Sequence, residues 1–133
     1  MNLDESLAVY LKGVPAIAAI TTRVYPDVAT QDTICPRIVY RIASGEEELG
    51  DMSNTRATLA KVSYEVCAMD KTFDGARALG ALVQAALIGF RGVMGGAGGA
   101  YIGSISASGR RSDFAAESGI HMMSCEFEIF YYI

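Results

Sequence analysis

The chain has 133 residues, 51% of them hydrophobic and 20% charged, a balance that folds around one core rather than staying disordered. Its net charge of −4 argues against gripping nucleic acid through phosphates as the main task, but not against surrounding DNA without holding it. No run reaches the ~20 apolar residues that span a bilayer. The acidic opening Met1-Asn2-Leu3-Asp4-Glu5 predicts no signal peptide. Cys35, Cys67 and Cys125 form no close pair, so they read as reduced thiols of a protein made in a cytoplasm, not as a disulfide framework or a metal motif.

Taken in order, Asn2 with Glu5 resembles a capping box, and Leu3, Leu7, Tyr10, Leu11 and Val14 then share one helical face up to Lys12-Gly13. Pro15 suits the first position of a short helical piece over 16–20. Pro26 and Pro36 favour extended backbone around a polar loop, residues 29–33. From Pro36 to Ala43 the chain alternates, with Ile38, Tyr40 and Ile42 on one side and Arg37, Val39 and Arg41 on the other. Residues 44–54 read as a loop or hairpin tip. Thr58, Ala60, Val62, Tyr64, Val66 and Ala68 then face one way, and Lys61, Ser63, Glu65 and Cys67 the other.

Asp70 is the expected cap of a main helix running from Thr72 to about Gly89. Its core stripe is Phe73, Ala76, Leu79, Gly80, Val83, Leu87 and Phe90. The opposite face holds Ala78, Ala81, Ala85 and Ile88 with few charges, so a first helix or another subunit should cover it. Residues 91–100 read as a flexible glycine-rich loop. A third strand is expected over 101–107, a polar connection over 108–119, and a last strand over 120–132 with Met123, Cys125, Phe127, Ile129 and Tyr131 on one side. The pattern predicts an α+β fold: one or two helices packed on one face of a mostly antiparallel sheet of four strands or slightly more, forming a single domain over 1–133.

No catalytic, cofactor or metal set emerges. The loop with Gly95, Gly96, Gly98 and Gly99 lacks the Lys-Ser/Thr and the following helix that a phosphate cradle needs. His121 has no partner at useful spacing. Glu46, Glu47 and Glu48 are consecutive rather than alternating, unlike a hard-cation loop. They read as a solvated tip or as a charged contact with Arg110 and Arg111 of a neighbouring subunit.

Several segments together resemble the tail-completion, or tail-terminator, family of long-tailed bacteriophages, prophages and gene transfer agents. Arg23-Val24-Tyr25-Pro26-Asp27 is similar to the family's "RVYPD" segment, and Pro36-Arg37-Ile38-Val39-Tyr40 to its "PYIVY" strand. Ser44-Gly45-Glu46, the strand Val62–Ala68, the long helix with Ala78-Leu79 and Val83, and Arg110-Arg111-Ser112-Asp113-Phe114 before the closing strand follow in the family's order. The resemblance implies a structural virion protein, not an enzyme, with no cofactor. It implies a homo-hexameric ring at the head-proximal end of the tail tube. The ring would end tube polymerisation and dock onto the head–tail connector or stopper. DNA would pass through its lumen without sequence-specific binding, and no membrane is involved. Under that reading Glu46, Glu47, Glu48, Arg110, Arg111, Ala78, Ala81 and Ala85 are candidate subunit or partner contacts. The loop of Gly95, Gly96, Gly98 and Gly99 would face the lumen or tube. A head-side connector or adaptor of the same particle is the alternative, but such proteins are often mainly helical.

Overall fold

The structure, a computed structural model, describes residues 3–26, 35–51, 58–115 and 119–132. The expected cap at Asn2 and the loop at 29–33 lie outside the described residues.

Helix α1 (Leu3–Gly13) buries Leu3, Leu7 and Leu11, the i, i+4, i+8 face its sequence offers. Pro15 opens the single turn of α2 (Pro15–Ala18), which buries Ile17. The Thr21 hydroxyl then donates to the Pro36 carbonyl at 2.8 Å and accepts from the Arg23 amide at 3.0 Å. These bonds lead the chain into β1 (Val24–Pro26), which lies parallel to the start of β2 (Arg37–Asp51). The hairpin of β2 with β3 (Thr58–Asp70), the helix α3 (Phe73–Leu87), the short β4 (Gly92–Val93), and the hairpin of β5 (Tyr101–Ala115) with β6 (Ile120–Tyr132) complete the chain. The sheet order is β1-β2-β3-β6-β5-β4. The sheet is thus six-stranded and antiparallel except for the β1–β2 pair, so the mostly antiparallel expectation holds while the strand number exceeds the expected four or slightly more.

The extra strands are the short edges, β1 and β4, each carrying too few residues to show a period. Two other boundaries also move. Strand β2 runs on to Asp51 through the segment expected to be a loop, with register shifts between Ile42 and Ser44, Ser44 and Glu47, and Glu48 and Gly50. Strand β5 runs on to Ala115 through the expected polar connection, with shifts at Ile102/Ser104 and Ala107/Gly109. Each shift puts an extra residue on one strand and breaks the alternation that a sequence reading depends on.

The core lies between the helices and one face of the sheet. Leu79, Val83 and Leu87 of α3 pack with Val62, Tyr64, Val66, Ala68, Phe127 and Ile129. Thr72, not Asp70, caps α3: its hydroxyl accepts from the Gly75 amide at 3.0 Å, while Asp70 accepts from the Lys71 amide at 2.7 Å. Phe73, expected in the core stripe, is 46% exposed: at the first position of α3 its ring stays outside the core cluster and meets His121 edge-on. The glycine-rich stretch is pinned rather than loose. Met94 is fully buried, its amide donates to the Ala100 carbonyl at 2.9 Å, and Gly95, Gly96 and Gly98 take positive φ to make the turn.

Candidate interaction surface

Alternation along β2, β3, β5 and β6 sends one set of side chains to the helices and the other to a face that no helix among the described residues covers. The register brings Val39, Cys67, Ser124 and Arg111 into one row across this second face, and Arg41, Glu65, Glu126 and Gly109 into the next. Glu65 is the hub. Arg41 Nη2 lies 2.7 Å from one of its oxygens and Arg111 Nη2 3.7 Å from the other, while Arg111 Nε reaches Asp113 at 3.3 Å. Further along, Lys61 stands 3.5 Å from Glu128. Beneath the Arg41–Glu65–Arg111 chain is an open groove of about 260 Å³, floored by Val39, Cys67, Met69, Met122 and Ser124.

Burial in the groove favours the protonated thiol of Cys67. The Ser124 hydroxyl donates to Cys67 Sγ at 3.3 Å, and burial pushes the Cys67 thiol up, outweighing that bond. Desolvation likewise raises the Cys125 thiol on the helix side. Among the described residues no group of three or more His, Cys, Asp and Glu could hold a metal ion. Among the described side chains, the basic Arg37, Arg41, Lys61 and Arg111 are balanced by the acidic Glu65, Asp113, Glu126 and Glu128, so the described part of this face is charged and close to neutral in sum.

The residues singled out from sequence fall on different surfaces. Arg110 and Arg111 point to opposite faces: Arg110 Nη1 donates to Gln84 Oε1 of α3 at 2.8 Å, and Arg111 joins the Glu65 network. Glu46, Glu47 and Glu48 lie on the far half of β2, with Glu47 paired to Lys61 and Glu48 to Ala60 in the backbone register; their side chains lie outside what the structure describes. Ala78, Ala81 and Ala85 are exposed on the outer side of α3, with Ile88 44% exposed. Helix α1 does not cover them. It lies beside α3, where the Tyr10 hydroxyl donates to the Ala86 carbonyl at 2.6 Å and the Tyr10 ring meets Phe90 at 4.7 Å. Gly95, Gly96, Gly98 and Gly99 form the turn joining β4 to β5 at one edge of the sheet. The ion-pair hub at Glu65 was not singled out from sequence. Its signal was the alternation of Lys61, Ser63, Glu65 and Cys67, but the partners Arg41 and Arg111 come from strands whose register no local pattern states.

Comparison with known proteins agrees with this architecture. Residues 5–132 match the family model described as "Tail completion protein gp17". Among solved structures, a chain of "Virion of native gene transfer agent (GTA) particle" superposes with a TM-score of 0.69 at 17% identity, over 96% of this chain and 94% of that one. At that identity the likeness speaks for the fold. No curated protein matches.

Proposed function

The chain belongs to the tail completion protein gp17 family, and from that membership we propose that copies of it form a ring, a hexamer, at the head-proximal end of a phage-type tail tube. There the ring ends tube growth and joins the tail to the head's connector. The observation that carries this reading is the family match over residues 5–132, nearly the whole chain. The protein works as a structural part of a virion rather than as an enzyme. The domain over 1–133 is the unit that repeats, made in the host cell and then built into the particle.

Features of the surface support the reading. The outer side of α3, with Ala78, Ala81 and Ala85, is apolar enough to seat a neighbour. The second face of the sheet pairs its own charges, so DNA in a lumen lined by it would find few unpaired cations to hold its phosphates. The tail tube protein and the head connector are the other partners.

The test is deletion of this chain in a cell that makes the particle, followed by electron microscopy. Tubes of uncontrolled length, unattached to heads, are expected. Tubes of normal length still joined to heads would end the proposal.

A further inference from the structure

Among the described residues, two strands of the sheet carry open edges. Strand β4 covers β5 only at Tyr101 and Ile102, and the Gly89 amide meets the Ile105 carbonyl at 3.3 Å. From Ser106 to Phe114 no described residue pairs with the outer edge of β5, and every residue of that stretch is exposed. On the other side, β1 covers β2 only at Ile38, Val39 and Tyr40, leaving the edge from Arg41 to Asp51 without a strand partner among the described residues. Long open edges are templates for pairing with another chain, and proteins normally blunt or cover them.

We propose that these two edges are halves of one joint: β5 of one copy, over 106–114, adds to β2 of the next, over 41–51, so that the sheets run on from copy to copy. The inference rests on the ring reading above and names the contact that would make the ring.

Polarity, charge and geometry support this pairing. Strand β2 is antiparallel to β3, β3 to β6, and β6 to β5, so β2 and β5 run in opposite senses. Rotation about a ring axis preserves each strand's sense, so β5 meets the next β2 antiparallel, in a heterologous contact able to close. The β5 edge carries Arg110 and Arg111, and the β2 edge Glu46, Glu47, Glu48 and Asp51. Aligning the middles of the two stretches sets Arg110 opposite Glu46, with Glu47 one position along, opposite Gly109. The charges that keep this edge from pairing at random would thus favour an acidic partner strand.

The two open stretches also sit at opposite ends of the sheet, since β1 covers the start of β2 and β4 the start of β5. Joining them steps each copy by roughly five residues, ~17 Å, for every four shared strands, ~19 Å, which inclines the strands by about 40° to the ring axis. Closed barrels tilt their strands by about 35–45°. The offset that makes the joint look awkward in one copy is the offset that closure of a curved sheet requires.

The experiment uses the full chain assembled on tubes. Ser44→Cys and Ser112→Cys, which the aligned register sets opposite each other, are combined in one chain and oxidised. A ladder of covalent oligomers is expected, with peptides around 44 and 112 of different copies joined in mass spectra, and no ladder from either single variant. Hydrogen exchange on the unmodified protein guards against a misfolded variant or a register two residues away: amides of 106–114 and 41–51 should slow together on assembly, by at least tenfold. Rings that form while both stretches stay fast-exchanging and unlinked would overturn the edge joint and leave the ring reading intact. Finding only monomers, free and on tubes, would overturn the ring reading itself.

Discussion

Ser6 sits fully buried among Leu3, Leu7 and Leu11, where a polar residue needs a partner. Its Oγ accepts from the Ala100 amide at 2.9 Å, tying the first helix to the entry of β5 across 94 positions of sequence. Ser6→Ala removes that acceptor and leaves a half-buried amide unpaired. A loss of about 1–3 kcal/mol in urea unfolding is expected, and Ser6→Thr should recover part of it if the extra methyl fits. Cys67 gives a second test at this scale. Its folded thiol is raised by burial, so the folded state holds the proton to higher pH than the unfolded chain does. This contribution is fully present below the unfolded thiol range near 9.0 and is lost as pH rises through the higher folded value. The urea midpoint should therefore decline above about pH 9, and less steeply in Cys67→Ala. At neutral pH, thiol titration of the native protein should leave Cys67 and Cys125 slow, since both are buried.

At the scale of elements, what could be read from sequence followed from period and from length. The face of α1, the stripe of α3 and the long alternations of β3 and β6 each hold a steady repeat over enough residues to be read from the chain alone. The far halves of β2 and β5 were not legible, because bulges interrupt their repeat and their residues are polar on both sides. The edges β1 and β4 are fixed by neighbours distant in sequence, which local propensity does not encode. Gly80 shows packing overriding propensity within a helix. Mid-helix glycine gives up about 1 kcal/mol relative to alanine, but a Cβ there would come within 2.8 Å of Met123 Cγ and 3.2 Å of its Cβ. Those atoms are near the Met123 backbone and have little room to yield. Overpacking of this kind costs about 1–3 kcal/mol, so Gly80→Ala should be net destabilising by roughly 1 kcal/mol. In a Met123→Ala background the 2.8 Å clash with Cγ is gone and only the tight 3.2 Å contact with Cβ stays, so the same substitution should cost clearly less, a coupling that a double-mutant cycle in urea would read directly.

For the whole molecule, the sequence shows an acidic chain, but the fold decides where the charge goes. Register places Arg37, Arg41, Lys61 and Arg111 on the same face as Glu65, Asp113, Glu126 and Glu128, so the described side chains of that face sum close to neutral although the chain carries −4. If that face lines the passage for DNA, its neutrality is what keeps a long polyanion from sticking. Each added cation in contact with phosphates deepens the salt dependence of binding by roughly one unit of slope, so two substitutions per copy, repeated around a ring, are a large perturbation. Glu126→Lys with Glu128→Lys is the variant to use, because Glu126 is exposed and Glu128 only half-buried, so the fold should tolerate both. The unmodified protein should show no retention of double-stranded DNA at about 0.15 M salt, where charges beyond ~8 Å are screened. The doubly substituted protein should retain DNA at low salt and release it steeply as salt rises. In particles it should still build rings and tubes but slow DNA ejection. Equal DNA retention by both proteins would mean that this face does not meet the DNA, and the lumen would then have to be lined by another surface, with the outer side of α3 and the β4–β5 turn next in line for the same charge test.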